Sequence, residues 1–329
     1  MYQSIDILSV KQISIQQPLC EEWMETPLTY TGDFVRAIDP DFRQFVSPGE
    51  ARRLGKLLKR ALATSLSALG EGGIQNPDAI ITGTGFGSIE NTELFLDALV
   101  REGEQMLKPT QFMQSTHNTA SSLIGINTKS HGYNSTYSQK GLSFDSALYD
   151  AWLQFRLGKI RNALVGAHDE MSPVFSGFVS KAGHVKQGEI CSEAAVSALL
   201  EADSGKPAMC TLKSVQIMNM PTAQELADVM SKISVDAIIT GRSGNPENDS
   251  WYAFLGSDVP QCSYKPLFGV NFSSSAIGFY TAACCLKAGR IPSVMNAGNG
   301  AVPCRSILLV NVVEGRHYSF TVLEAVCGK

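Results

Sequence analysis

Paired thiol ligands are missing from this sequence. Its eight cysteines are Cys20, Cys191, Cys210, Cys262, Cys284, Cys285, Cys304 and Cys327, and none forms a CxxC spacing. Zinc needs clustered ligands, so no metal is expected, and buried reduced thiols acting as small hydrophobes are the simpler reading. An excess of cations is missing as well: 27 Lys plus Arg stand against 31 Asp plus Glu, a formal net charge of -4. That balance excludes a nucleic-acid partner recruited by bulk charge. Long apolar runs are absent, since Ser306 to Val313 (SILLVNVV) is only strand length, well short of the ~18 residues of a membrane span. Met1 to Ile15 lacks a basic start followed by an apolar core. No secretory signal is read there, and a cytoplasmic protein is expected.

What is present suits a large core. Hydrophobic residues make up 44% of the 329 residues and charged ones 18%, which argues against extensive disorder. Strand-like and helix-like runs alternate. Ile5 to Ile15 and Ala79 to Thr82 read as strands. Between them Ser47, Pro48 and Glu50 spell an N-cap, a first-turn proline and a capping box. Leu54, Leu57, Leu58, Ala61, Leu62, Ser65, Leu66 and Leu69 then recur at helical spacing up to Gly70, Gly72 and Gly73. Arg52, Arg53, Lys56, Lys59 and Arg60 are placed on the exposed face of that helix. They form either an ordinary solvated face or a patch for an acidic partner such as an acyl carrier protein, and the solvated face is preferred. A second helix is read from Ser143 to Leu157, ending at Gly158 and feeding the strand Asn162 to Val165 and Gly166. This is the pattern of a parallel sheet. Ala194 to Glu201 and Leu308 to Val313 are further strands.

The most informative feature is a repeat. Asp78-Ala79-Ile80-Ile81-Thr82-Gly83 recurs as Asp236-Ala237-Ile238-Ile239-Thr240-Gly241, and Glu90-Asn91 is echoed loosely by Glu247-Asn248. Each copy is a short apolar strand ending in glycine, followed by a polar loop. Two similar α/β halves are expected.

Several segments then resemble the β-ketoacyl synthases. Gly83-Thr84-Gly85-Phe86-Gly87-Ser88-Ile89-Glu90 is similar to their glycine-rich turn, and Lys108-Pro109-Thr110 through His117-Asn118-Thr119-Ala120-Ser121 to the segment ending in P-N-x-x-A. Gly132-Tyr133-Asn134 resembles the G-P-N before the nucleophile, and Ala147 to Gly166 the helix-strand unit after it. Glu193-Ala194-Ala195 with Leu199-Leu200-Glu201 is similar to the E-G-A…V-L-E strand. The resemblance covers most of the chain and thins beyond Ala237. It implies a thiolase-like α/β fold: two pseudo-twofold-related halves in five layers, working as a dimer, here with a truncated C-terminal half. The halves are placed at residues 1–205 and 206–329.

The same resemblance locates what has been lost. Aligned backwards from Ala147 the family's nucleophilic cysteine falls on Gly141; aligned forwards from Asn134 it falls on Leu142. Thr240 stands at the first histidine position and Val270 at the second, in a motif whose lysine and glycine survive as Lys265 and Gly269. The closing G-F-G-G loop corresponds to Asn311 to Ser319, which keeps one glycine. Loss of nucleophile, base and oxyanion hole together leaves little of a condensation reaction.

No catalytic residue for condensation and no cofactor is therefore expected. The resemblance implies a chain length factor, a subunit that lacks the cysteine, pairs with an active ketosynthase and helps shape its tunnel in fatty-acid, polyene or polyketide synthesis. In aromatic polyketide systems glutamine stands at the cysteine position; Gln139 lies two or three residues away and is not mapped onto that role. Phe112, Met113, Tyr133, Tyr137, Leu142 and Phe144 are candidates for tunnel or interface contacts, with core packing as the plain reading of each. His117 with Asn118 is either a turn residue bonded to backbone or a contact to substrate or a carrier arm. His168, at the C-terminal end of a strand beside Asp169 and Glu170, is either structural or ligand-facing. A Cys/His pair from Cys191 or Cys284 with His168 or His184 is a remoter option. The alternatives to a heterodimeric subunit are a residual acyltransferase, decarboxylase or thioesterase using relocated residues, and a homodimeric acyl-binding protein.

Overall fold

Both copies of the repeat are strands whose two faces are covered. The computed structural model describes residues 4–296 and 300–326, so Cys327 lies outside the described residues. Its strands are β1 (Ile5–Ile13), β2 (Ala79–Gly83), β3 (Tyr133–Tyr137), β4 (Asn162–Asp169), β5 (Ala194–Ala202) and β6 (Cys210–Asn219). They continue as β7 (Ala237–Thr240), β8 (Gln261–Ser263), β9 (Arg290–Ile291), β10 (Val302–Pro303), β11 (Ser306–Val313) and β12 (His317–Glu324). One sheet runs β3-β2-β4-β5-β1-β6-β12-β11-β7-β8, and β9 pairs with β10 apart from it. The repeat strand β2 is parallel to β3 and β4; the repeat strand β7 is parallel to β8 and β11. Outward from the middle, β1, β5, β4, β2, β3 on one side answer β6, β12, β11, β7, β8 on the other. Within the sheet the two blocks pair through β1 and β6, where Asp6 and Ile7 face Thr211 and Cys210.

Covering both faces explains why the strands are apolar throughout rather than alternating. In β2, Ala79 and Ile81 enter one core cluster while Ile80 enters another. In β11, Ile307 and Leu309 face the first cluster, while Leu308, Val310 and Val312 face a third. The shared layer holds the helices Ser143–Arg156 and Ser274–Ala288, which meet at Phe144 and Phe279 with ring centroids 5.4 Å apart. Ser274–Ala288 is buried along nearly its whole length, as its lack of a polar face requires. Lys56–Gly72 and Thr119–Thr128 cover the outer face of the N-terminal block, and Ala223–Met230 that of the C-terminal block.

Two expectations are corrected here. The helix begun by Ser47 is two helices, Pro48–Ala51 with its capping box formed, and Lys56–Gly72 ending at left-handed Gly73. The side chain of Gln114 makes the break: its amide donates to the Arg53 carbonyl at 2.5 Å, and its oxygen accepts from Gly55 N–H at 2.8 Å. A Cβ on Gly55 would sit 2.5 Å from Asn91 Nδ2, so a larger residue there would have to displace that side chain. Arg60, expected on the solvated face, is buried, with Nη1 3.0 Å from Glu193 Oε2 and Nε 2.5 Å from Asp39 Oδ1. A buried guanidinium needs both carboxylates to offset desolvation.

Candidate functional site

Three tight turns converge on one cavity of about 100 Å³. The first carries Lys140 and Gly141 before the helix Ser143–Arg156, the second Gly183 and His184, the third Glu314 and Gly315 after β11. Lys140 and Glu314 hold left-handed φ values of 50° and 54°, and Gly183 and Gly315 supply the same region at 79° and 63°. Non-glycine residues in that region carry backbone strain that their surroundings must hold in place. Here the holding contact is mutual. Lys140 Nζ donates to Glu314 Oε1 at 2.9 Å, and His184 Nδ1 lies 3.3 Å from the same oxygen. The bonded Lys140 ammonium keeps the Glu314 carboxyl below the usual carboxylate range.

Below that mouth lie two of the positions that the resemblance aligns with the family's catalytic groups. Gly141 lines the cavity, and a Cβ built on it would meet Val313 Cγ2 at 3.4 Å. Val270 lines it too, fixed by backbone bonds to Ile190 and Ser192 at 2.8 and 3.0 Å. Neither position carries a side chain that can hold an acyl group or move a proton. Thr240 is elsewhere: it is buried in β7, with its hydroxyl 3.0 Å from Ser263 Oγ, and it does not line the cavity. Leu142 is buried beside Gly141, and Phe144 is fully buried in the shared helical layer. Gln139 turns its amide oxygen to Ser146 Oγ and is not a lining residue.

Polar groups collect on the far wall. Tyr264 donates to Asn311 Oδ1 at 2.7 Å, and Ser319 donates to Asp145 Oδ1 at 2.6 Å. Burial lifts the Asp145 carboxyl to about 6. Lys265 also lines the cavity. It is surrounded by protein yet keeps some accessible area, as a side chain facing a cavity does. Burial lowers its pKa, against the pull of Glu189 and Asp249. Those two carboxylates are engaged by other donors, Glu189 by Asn248 and Ser243, Asp249 by the Ser243 and Gly244 amides.

The sequence candidates for relocated chemistry fare differently. His168 is fully buried in β4, 3.1 Å from Ser197 Oγ, and burial pushes it down to about 3. It stays neutral and touches no cavity. Asp169 and Glu170 next to it are structural: Asp169 Oδ1 accepts from the Gly85, Phe86 and Gly87 amides, and Glu170 from Ser88, Glu90 and Leu57. His117 is exposed and lies against Gly87, and Asn118 beside it is exposed too, its carbonyl accepting from Ser122 N–H. Cys191 and Cys284 are buried away from the cavity, and burial pushes the Cys191 thiol up to about 12. A Cys/His pair is therefore not assembled. Of the aromatic candidates, Tyr133 is exposed on the edge strand with its hydroxyl 3.0 Å from Asp150 Oδ2. Tyr137 packs against the core, and burial with Asp150 raises it to about 12. Phe112 and Met113 are 56% and 66% exposed. The residues that sequence reasoning passed over are Lys140 and Glu314. Each adjoins a glycine, and that adjacency was the signal available.

Comparison with known proteins agrees with this geometry. The family described as "Beta-ketoacyl synthase, N-terminal domain" matches residues 22–244. No curated protein matches the sequence. Among solved structures, a type II PKS acyl-carrier protein in complex with its ketosynthase bound to the hexaketide superposes with a TM-score of 0.80 at 16% identity. The ishigamide ketosynthase/chain length factor gives 0.81 at 15%, and a β-ketoacyl synthase from Burkholderia phymatum STM815 gives 0.81 at 14%. Each alignment covers 99% of this chain and 100% of the other. At these identities the likeness establishes a thiolase-like ketosynthase fold, and the family match over more than half the sequence goes further: the chain belongs to the β-ketoacyl synthase family.

Proposed function

We propose that this chain is a catalytically degenerate β-ketoacyl-acyl carrier protein synthase-like subunit of the chain-length-factor kind. It partners an active ketosynthase in fatty-acid, polyene or polyketide-type chain synthesis in the cytoplasm. The observation that carries this reading is the cavity floor, where Gly141 faces Val313 and Val270 stands at the second histidine position. An apolar floor can wall a chain but cannot attach one. The halves 1–205 and 206–329 are read as pseudo-twofold mates in five layers, with the C-terminal half trimmed in its helices: Ile89–Glu102 follows the first repeat strand, only Pro246–Ser250 the second.

The surface supports a partner. Phe112, Met113, Ile126 and Tyr133 are large, apolar and exposed around the edge strand β3. An unpaired sheet edge flanked by such side chains favours pairing with another chain. Arg52, Arg53, Lys56 and Lys59 remain available for an acyl carrier protein once Arg60 is removed from that set.

The test is purification of the tagged chain from its native cell, with mass and stoichiometry of the complex. A one-to-one complex with a cysteine-bearing ketosynthase is expected, and the chain alone should condense no malonyl and acyl carrier protein. Condensation by the chain alone overturns the reading, and a lone homodimer replaces it with an acyl-binding protein. Gly141→Cys should accept the side chain, given the 3.4 Å contact to Val313, and still fail to condense.

A further inference from the structure

The cavity is lined by one amine that no carboxylate contacts. Its lysine, histidine, tyrosine and serine side chains are Lys140, His184, Tyr264, Lys265, Ser274 and Ser275. Lys140 is bonded to Glu314, Tyr264 to Asn311, and Ser274 to the Asn271 backbone. The Lys265 ammonium has no ion pair and no hydrogen bond among the described residues. An amine enclosed by protein at a cavity wall, with no counter-ion in contact, is costly to keep charged, and in that arrangement lysine acts as a nucleophile toward carbonyl compounds.

We propose that Lys265 captures a short ketone or aldehyde in this cavity as an imine. The amine nitrogen attacks the carbonyl carbon, a C–N bond forms, and the oxygen becomes a hydroxyl by taking a proton. The C–O bond then breaks, water leaves, and the nitrogen gives up its second proton to leave C=N. Amine plus carbonyl thus balance imine plus water, with no oxidant or reductant. His184 lines the same cavity and supplies the acid-base group for the departing water.

Three observations fit a polar, uncharged guest. The volume of about 100 Å³ holds several water-sized molecules, room enough for a small carbonyl compound. Asn248, another lining residue, has a buried Oδ1 with no hydrogen-bond partner. Ser275 Oγ is in the same condition, near enough to Asp145 to hold that carboxyl down without completing a bond. The carbinolamine hydroxyl is a donor and acceptor of the type these atoms lack. Glu189 and Asp249 attract the Lys265 ammonium through space, and burial opposes them.

The experiment is a short pulse of acetone with cyanoborohydride on the intact chain near neutral pH, followed by peptide mapping. Lys265 should be alkylated several-fold faster than exposed Lys108 and Lys129, because burial lowers its pKa and leaves more of it as free amine. Lys265→Met should abolish that adduct and leave the surface labelling unchanged; replacing a buried unpaired cation by an isosteric apolar side chain does not threaten folding. Labelling of Lys265 no faster than the surface lysines, or none at all, overturns the proposal on the wild-type chain alone. The accessory-subunit reading asks for no chemistry from this chain, so either result leaves it standing.

Discussion

The two halves use the same strand and then part company. Asp78 opens β2 by accepting the Arg161 and Asn162 amides at 2.8 and 3.1 Å; Asp236 opens β7 by accepting the Arg305 and Ser306 amides at 2.7 and 2.9 Å. Thr82 pairs with Thr136 across to β3 at 3.1 Å, and Thr240 with Ser263 across to β8 at 3.0 Å. The divergence starts at the next strand end. By register, His168-Asp169-Glu170 at the end of β4 stand where Val312-Val313-Glu314 stand at the end of β11. In the first half the acids turn inward and bind the glycine-rich turn, which leaves no room. In the second half Val313 stands where Asp169 does, Glu314 turns to Lys140 and His184, and the cavity remains. The cavity is thus the place where one copy of the design lacks the other copy's filling.

The sharpest way to test that contrast is acid. His168 is held down to about 3, so between there and the ordinary histidine value the unfolded chain binds a proton that the folded chain refuses. Stability should fall as pH falls through that window, by of order 4 kcal/mol near its lower end. His168→Gln should flatten the slope in denaturant titrations, and an unchanged slope would show that β4 is not the buried side supposed. Next is the repeat glycine. A Cβ on Gly83 would lie 2.5 Å from the Ser143 carbonyl carbon, a backbone atom, whereas on Gly241 it would meet the Tyr252 hydroxyl at 2.7 Å. Gly83→Ala should cost about 3 kcal/mol and Gly241→Ala about 1–2, since a side chain yields more readily. The reverse order in chemical denaturation would break the comparison.

Smaller effects sharpen it. Asp78→Ala and Asp236→Ala each strip two backbone amides of an acceptor at a partly hydrated site, and each should cost about 1 kcal/mol. The Arg305 amide holds the Asp236 carboxyl below its usual range. Its contribution should therefore be present above that range and vanish as pH falls, which the pH dependence of the variant's stability would reveal. Thr82→Val and Thr240→Val should each lose about 0.5–1 kcal/mol from one hydroxyl pair, equal within error in thermal unfolding.

Much of the architecture was legible from residues. The repeat marked β2 and β7, and the helix and strand from Ser143 to Gly166 appear with nearly the expected bounds. The capping box at Ser47 formed as well. The single long helix failed because local spacing cannot register Gln114, a residue 59 positions from Gly55, bonding into the break. Arg60 failed for the same reason, since Asp39 and Glu193 come from elsewhere in the chain. Within the site, the alignment brought Gly141 and Val270 to one cavity. Thr240, aligned with the first histidine position, lies outside that cavity, and its hydroxyl completes a strand pair that the repeat itself duplicates.

The sequence by itself determined the duplicated strand design, because alternation, terminal glycine and opening aspartate act over a few adjacent residues. It also determined that no thiol stands near Gly141, since the segment from Tyr137 to Phe144 holds no cysteine. Only the tertiary structure decided which polar groups are buried and spent, as His168 and Cys191 are, and which face open space, as Lys265 and His184 do. Burial and pairing depend on what distant segments bring to each residue, and three turns separated by scores of residues had to meet before this cavity existed.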